Sequence, residues 1–221
     1  MHGIRKPMQS YKRAHRSLAV AIAALAGFID ALGFIQLGGL FVSFMSGNST
    51  RFAVGMQHAP LAPISLLPAV MILLFVLGVM GGRVLRHYAT RRPSTSILAA
   101  MTALLALAGL LFEQDLPVRA VMLMAVAMGA ANNIFFRQGE VSIGVTYVTG
   151  TLVKLGQRLA GLLLKEKGTE WLHYLLLWLG LVVGAGMGAI GYATFGFGVL
   201  WGGVGFCLLL TLACLRIETE D

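Results

Sequence analysis

One motif occurs twice in this chain, about a hundred residues apart, and it constrains the fold more than any other feature. In each copy an apolar stretch reaches a glycine, continues through aromatic and β-branched residues, and ends in a triplet with glycine at its centre. The triplets are Ser46-Gly47-Asn48 and Thr149-Gly150-Thr151, followed by Arg51 and Lys154 respectively. With one residue inserted in the second copy, the matched pairs are Gly27 and Gly129, Asp30 and Asn132, Phe34 and Phe136, Gln36 and Gln138, Phe44 and Tyr147, and Arg51 and Lys154. The chain is therefore an internal duplication.

The composition indicates the class of protein. Of 221 residues 57% are apolar and 12% are charged, and the mean hydropathy is +0.82, which exceeds what a single soluble core needs. Six stretches are apolar and long enough to cross a hydrocarbon layer of ~30 Å as helices. They are Leu18 to Gly38, Ile64 to Gly82, Ile97 to Phe112, Val118 to Phe136, Leu172 to Phe195 and Val199 to Leu215. The sequence therefore predicts an all-α integral membrane protein.

The basic residues predict how these stretches are threaded, because short cytoplasmic loops collect Lys and Arg. Basic residues cluster before the first stretch and within 83–92, whereas the turn after the third stretch carries Glu113 and Asp115. We expect a multi-pass membrane protein. Both termini and the loops around Arg91 and Lys167 should be cytoplasmic, and Asp115 external. The net charge of +8 is then explained by topology, and we expect no binding to nucleic acid.

Two further stretches, Gly39 to Gln57 and Val141 to Leu164, conflict with this charge distribution if they cross the membrane fully. We therefore expect both to be re-entrant. Each half then has three crossings, and an odd number inverts one half relative to the other. The predicted fold is six transmembrane helices plus two re-entrant segments, in two inverted 3+3 repeats. It forms a single membrane domain, 1–221, with a basic N-terminal tail 1–16, repeat one 17–115 and repeat two 116–216.

The two triplets are the principal candidates for a binding site. Non-helical backbone at membrane depth survives only where it is buried in protein or lines a wet cavity. Ser46-Gly47-Asn48 and Thr149-Gly150-Thr151 have the composition of helix N-caps, so two short helices should begin near the midplane. Their positive ends, reinforced by Arg51 and Lys154, favour an anion or a carboxylate. The alternative is that both cations are purely structural. Secondary polar candidates for the cavity are Gln36, Ser43, Gln138 and Thr146.

Asp30 lies near the centre of the first apolar stretch, where an ionisable residue is costly and indicates function. Its repeat mate is the neutral Asn132, which Asn133 follows. One interpretation is a proton-coupling site in which Asp30 alternates between protonated and ionised states. The other is a static ion pair between Asp30 and Arg51 or Lys154. The sequence does not decide between them.

Small residues recur at helix-face spacing in both halves. Gly78-x-x-x-Gly82 and Gly184-x-x-x-Gly188 would let helices approach closely. Packing of one repeat against the other is the favoured interpretation, and a homodimer interface is the alternative. Cys207 and Cys214, seven residues apart, are interpreted as small apolar fillers rather than a metal or redox pair.

The segment from Gly27-Phe-Ile-Asp to Ser46-Gly47-Asn48-Ser-Thr resembles the signature of the YoaK-like bacterial membrane proteins, a family defined as a domain of unknown function. The resemblance spans nearly the whole chain. In that family the Gly-Asn is commonly preceded by Thr, and Ser46 keeps the hydroxyl. The resemblance implies an inner-membrane protein of about six helices and supplies no substrate.

Three classes of function remain. The first is a secondary transporter of a small anion or organic acid, because repeated, Gly-interrupted apolar segments are typical of transporter binding sites. The second is a channel or passive pore on the same repeat, and the third is an assembly factor or intramembrane enzyme. Enzyme motifs and clustered His or Cys ligands are absent from the sequence. We therefore expect no catalysis, no cofactor and no metal, and a small-molecule or ion substrate and the lipid bilayer as partners.

Overall fold

The computed structural model describes residues 13–58, 62–137, 140–141, 147–166 and 170–220. These residues are almost entirely helical. The helices are α1 (Arg13–Gln36), α2 (Met45–His58), α3 (Pro63–Tyr88), α4 (Pro93–Glu113), α5 (Pro117–Ala131), α6 (Val148–Leu163), α7 (Leu172–Phe195) and α8 (Leu200–Glu220). A short antiparallel pair, β1 (Phe136–Arg137) and β2 (Glu140–Val141), follows α5. The tail before residue 13 and the loop residue Lys167 lie outside the described residues.

Proline and glycine explain several helix boundaries. Pro63, Pro93 and Pro117 each open a helix at its first turn, where the missing N–H group would have no partner anyway. Gly196 ends α7 with a φ of 61°, a conformation that glycine adopts without steric cost. A four-residue 3₁₀ turn, Gly196–Val199, then leads into α8.

Four segments are long and apolar enough to cross a membrane. They are His15–Gln36, Pro63–Tyr88, Pro93–Glu113 and Leu172–Thr219, the last of which contains both α7 and α8. Pro117–Ala131 is an apolar helix of shorter length. The prediction of an all-α membrane protein is confirmed at this level.

The longer helices differ in how much of the buried core they supply. Side chains of α1, α4, α5 and α8 make up most of the buried core. Helices α3 and α7 instead expose apolar faces, which is the surface expected toward lipid. On α3 the exposed apolar residues include Leu73, Val76, Leu77, Met80 and Val84, and on α7 they include Leu172, Leu176, Leu179, Val182, Val183, Met187 and Ile190.

Glycine sets two closely packed helix pairs at matching places in the two halves. A Cβ at Gly27 would overlap the Leu181 carbonyl across α1 and α7, and a Cβ at its mate Gly129 would overlap the Phe75 carbonyl across α5 and α3. The Gly-x-x-x-Gly motifs line the same interfaces. Gly184 and Gly188 lie against Ala24 and Phe28, and Gly78 and Gly82 lie against Val126 and Ala130. These glycines are therefore used inside the chain, and a homodimer through them stays a prediction.

The same contacts give helix directions. Successive glycines of α7 meet successive turns of α1, from Gly180 at Val20 to Gly188 at Phe28, so these helices run parallel. Gly78 and Gly82 likewise rise along α5, so α3 and α5 also run parallel.

Helices α4 and α8 run antiparallel and are tied at both ends. At one end the Glu218 carboxylate accepts hydrogen bonds from the amides of Ser94 and Thr95, at 2.9 and 3.1 Å. At the other end the Trp201 indole donates to Glu113 at 2.9 Å. Each glutamate lies in the last turn of its own helix, so the two ends are equivalent under exchange of the halves.

The turn after α7 lies at the C-terminal end of α4, because Phe197 stacks on Phe112 with ring centroids 4.2 Å apart. Gln36, at the end of α1, lies at the same end through its bond to Tyr192. Helices α1, α4 and α7 therefore run in one direction and α3, α5 and α8 in the other. Corresponding helices of the two halves thus have opposite directions. The basic residues of α1, of the α3 to α4 connection and of the α8 C-terminus lie at the end opposite Asp115.

Candidate functional site

Helix α1 ends at Gln36, and the chain then reverses direction and folds back along the helix. Gly38 and Gly39 have φ values of 62° and 105°, and this left-handed backbone reverses the chain at little cost only in glycine. The returning segment reaches the level of Asp30, which lies six residues, or about 9 Å, before the end of α1. The non-helical stretch that the sequence predicted between the first apolar span and the first triplet is therefore present.

Asp30 holds this segment. Its Oδ1 accepts the amide protons of Val42 and Ser43 at 2.7 and 2.9 Å, and its Oδ2 accepts the Ser43 hydroxyl at 2.7 Å. Asp30 itself is partly exposed, whereas Val42 and Ser43 are buried. Within the described chain Oδ2 accepts no second hydrogen bond, so it keeps a lone pair for a proton or a donor group.

Asn48 holds the same segment from the other side. Its Oδ1 accepts the Phe41 amide at 3.0 Å and its Nδ2 donates to the Phe41 carbonyl at 2.7 Å. The Asn48 side chain is fully buried, where a lost hydrogen bond is most costly. Asn48 is thus a clasp for backbone rather than an exposed ligand group.

The predicted N-caps are wrong by a few residues. Helix α2 begins at Met45, with the Phe44 carbonyl accepting from the Gly47 amide at 3.2 Å, so Ser46-Gly47-Asn48 lies inside the first turn. Helix α6 begins at Val148 with Tyr147 as its N-cap and no side-chain capping bond, so Thr149-Gly150-Thr151 also lies inside. Thr151 donates its hydroxyl back to the Tyr147 carbonyl at 3.0 Å. The two helices nevertheless begin directly after matched residues, Phe44 and Tyr147.

The two central glycines have different surroundings. A Cβ at Gly47 would lie 2.8 Å from the rings of Phe41 and Phe44, which pack edge-to-face at 5.2 Å. A Cβ at Gly150 would meet no atom of the described chain within 4 Å. Gly47 is therefore explained by aromatic packing, and Gly150 is not.

The ion pair considered for Asp30 is not formed. Arg51 donates to the Gly38 carbonyl at 3.3 Å, and Lys154 lies 6.0 Å from the centre of the Tyr174 ring. The carboxylate of Asp30 is satisfied by nearer backbone and hydroxyl donors, so neither cation is needed for it. Both cations are exposed.

The second half departs from the first beyond the matched aspartate. Helix α5 ends at Ala131, with Asn132 as its C-cap, whereas α1 continues for six residues past Asp30. Asn132 donates to the Met128 carbonyl at 3.1 Å, and Asn133 donates to the Val79 carbonyl at 2.9 Å. Gln138 and Thr146 lie outside the described residues. The symmetry is therefore approximate at the site itself.

Two contacts could not be anticipated from the motifs. Tyr192 donates to the Gln36 side chain at 2.7 Å, which ties the C-terminal ends of α1 and α7. Arg86 donates to the carbonyls of Asn133 and Ile134 at 3.0 and 3.2 Å, where α5 has ended. Neither Tyr192 nor Arg86 belongs to a repeated motif, so only their size and polarity within apolar helices could have indicated them.

Among the described residues, no group of three or more His, Cys, Asp or Glu side chains is placed to hold a metal ion. The site combines the Asp30 carboxylate and the non-helical backbone segment that it holds, and the Arg51 guanidinium lies farther along that segment, at Gly38.

The chain matches a family model described as "Protein of unknown function (DUF1275)" over residues 18–213. It is similar to UPF0700 transmembrane protein RA0705 of Rhizobium meliloti (strain 1021), at 36% identity over 201 residues, which cover 91% of this chain and 86% of that protein. No solved structure matches the chain. With its apolar helices, these similarities make it a multi-pass membrane protein that belongs to the DUF1275 family.

Proposed function

We propose that this protein is a proton-coupled secondary transporter of a small anion or organic acid, in the bacterial inner membrane, and that it is YoaK-like. In the proposed topology six helices cross the membrane and the segments containing α2 and α6 are re-entrant. The halves, 17–115 and 116–216, are inverted repeats with both termini in the cytoplasm.

The opposite directions of corresponding helices support this topology. Rocking of one repeat against the other around a central site is the usual route of alternating access in such transporters. The concentration of basic residues at the end of the bundle opposite Asp115 supports the orientation.

The observation that carries the proposal is the set of hydrogen bonds between Asp30 and the non-helical segment after α1. An ionised side chain in this position is expensive in a membrane and is retained when it has a function. Its three donors come from one short segment, at 2.7 to 2.9 Å. Loss of the negative charge would therefore change the hold on Val42 and Ser43, which lead directly into α2.

The geometry also favours a way to couple a proton to an anion. Asp30 already supplies a negative charge to the backbone amides before α2, which is where a substrate anion was expected. Protonation of Asp30 removes that charge, and a substrate anion then replaces it at the backbone amides before α2. A proton and an anion would in this way enter together without net charge.

Reconstituted proteoliposomes with a trapped pH-sensitive dye test the proposal. An imposed pH gradient should drive saturable uptake of a subset of small organic acids, accompanied by proton entry. Asp30→Asn should bind the acid and lose the proton flux. Flux that never saturates with concentration would instead favour a channel, and absence of flux for every anion and carboxylate would sink the proposal.

A further inference from the structure

Helix α2 carries polar side chains on a face that the rest of the described chain leaves uncovered. The opposite face packs on α3, where the Ser65 hydroxyl donates to the Gly55 carbonyl at 3.1 Å. The uncovered residues repeat at intervals of three and four, which places them on one side of the helix. We call this the outer face of α2, and it consists of Ser46, Ser49, Thr50, Ala53 and Gln57, all exposed.

The repeat mate of this helix has a different outer face. Ser49, Thr50 and Gln57 correspond by the repeat alignment to Leu152, Val153 and Ala160 of α6. All three positions of α6 are exposed as well. At these three positions the face is therefore polar in α2 and apolar in α6, whereas the exposed Ser46 keeps its hydroxyl in its mate Thr149 and, beside the face, the exposed Val54 has the exposed Gln157 as its mate.

Hydrocarbon suits the outer face of α6 and does not suit that of α2. Hydroxyls tolerate lipid when they bond to their own helix, as Ser49 does to Met45 at 2.9 Å. Gln57 forms no such bond within the described chain, and an unpaired amide in hydrocarbon is energetically costly. Arg51 adds an exposed positive charge beside the non-helical backbone at Gly38.

We propose that the outer face of α2 lines a water-filled access path from the Asp115 end of the bundle to the loop held by Asp30, and that Arg51 selects small anions on this path. The outer face of α6 contacts lipid. The access path is thus present beside α2 only. Water covers the outer face of α2, and lipid covers the corresponding face of its repeat mate α6. The inference rests on the topology in the proposed function.

Matched cysteine pairs test the path. In a Cys207→Ser, Cys214→Ser background, thiols at Thr50 and Gln57 should react with a membrane-impermeant methanethiosulfonate reagent added outside intact cells. Thiols at their mates Val153 and Ala160, which face the cytoplasmic side in the proposed inverted topology, should stay unreactive when the same reagent is added to inverted vesicles, because a thiol in lipid rarely ionises to the reactive thiolate. A thiol at Asp115 reports topology alone.

The outcomes separate the two proposals. Reaction at Asp115 without reaction at Thr50 and Gln57 overturns the access path and leaves the topology standing. Reaction at Val153 in inverted vesicles that is as fast as reaction at Thr50 from outside overturns the one-sided arrangement. Reaction of Asp115 only from the cytoplasmic side sinks the topology and the path together.

Reagent charge tests the selectivity. At Thr50, beside Arg51, a negatively charged methanethiosulfonate should react about tenfold faster than a positively charged one of similar size, relative to their ratio on a free thiol in solution. Arg51→Gln should bring this ratio close to the solution value. A ratio that Arg51→Gln leaves unchanged would remove Arg51 as the selecting group.

Discussion

Ser43 donates to Asp30 twice, through its amide at 2.9 Å and its hydroxyl at 2.7 Å. A single carboxylate therefore fixes both the backbone and the side chain of the segment that leads into α2. This relationship predicts how substitutions at position 30 differ.

Asp30→Asn should fold and Asp30→Ala should not fold well. The asparagine carbonyl can still accept from Val42 and Ser43, and its amide can donate to the Ser43 oxygen. Alanine would leave two amides and one hydroxyl without their partner, at about 1–3 kcal/mol for each buried group. Melting temperature in detergent measures the difference. Equal melting temperatures of the two variants would contradict a stabilising role for the hydrogen bonds that Asp30 accepts from Val42 and Ser43.

The glycines of α7 provide a matched pair for the helix interface. Gly184→Ala should destabilise strongly, because its Cβ would overlap the Ala24 carbonyl and overpacking typically costs about 1–3 kcal/mol or more. Gly186→Ala, with no described atom within 4 Å of the Cβ, should be neutral or stabilising by up to ~1 kcal/mol. Fluorescence-detected size-exclusion melting curves compare them. A stable Gly184→Ala protein would argue against the close α1 to α7 contact.

The two triplet glycines should also behave differently. Gly47→Ala should lower the melting temperature because it displaces the rings of Phe41 and Phe44. Gly150→Ala should leave it unchanged. Loss of ligand binding in Gly47→Ala would therefore have a structural cause, whereas the same loss in stable Gly150→Ala would place the ligand beside α6. Ligand-induced thermal shifts of both variants separate these cases.

The ends of α4 should tolerate the loss of glutamate unequally. Glu218→Ala removes the partner of the Ser94 and Thr95 amides and of the Thr95 hydroxyl, which lies at 2.7 Å. Loss of a helix N-cap typically costs about 0.5–2 kcal/mol. Glu113→Ala removes one exposed bond to Trp201 and should stay within about 0.5 kcal/mol. Urea denaturation in mild detergent measures both, and the reverse order would refute the capping role.

Positions 91 and 115 should label from opposite sides of the membrane. Helix α4 joins them through 21 residues, which span about 31 Å. Thiols at Arg91 and Asp115, in the background lacking native cysteines, can be tested with an impermeant reagent in intact cells and inverted vesicles. Labelling of both from the same side would mean that α4 does not cross.

Features that depend on local composition were predictable from the sequence. Helical class follows from apolar length, and the pairing of Gly27 with Gly129 follows from the duplication. The interfaces of these two glycines, with Leu181 and Phe75, are consistent with repeat-against-repeat packing. These features are readable from the local sequence because two helix backbones can approach closely wherever a glycine leaves out the side chain.

The details of the site depend on distant contacts and were not predictable. The start of α2 depends on the position of Phe44, which is set by the bond of Asp30 to a segment 12 and 13 residues away. Charge alone left open an ion pair of Asp30 with Arg51 or Lys154, but the backbone and the Ser43 hydroxyl supply the donors instead. The bond between Tyr192 and Gln36 joins residues 156 apart, and no local pattern encodes it.

The parallel contact of α1 with α7 has a consequence for synthesis. Gly27 must wait for Leu181, which is made 154 residues later, or about 8–30 s later at ordinary elongation rates. During this interval the small-residue face of α1 lies in the membrane without its partner. The packing of the first half is therefore completed only after α7 has been made, and α1 remains open to other contacts until then.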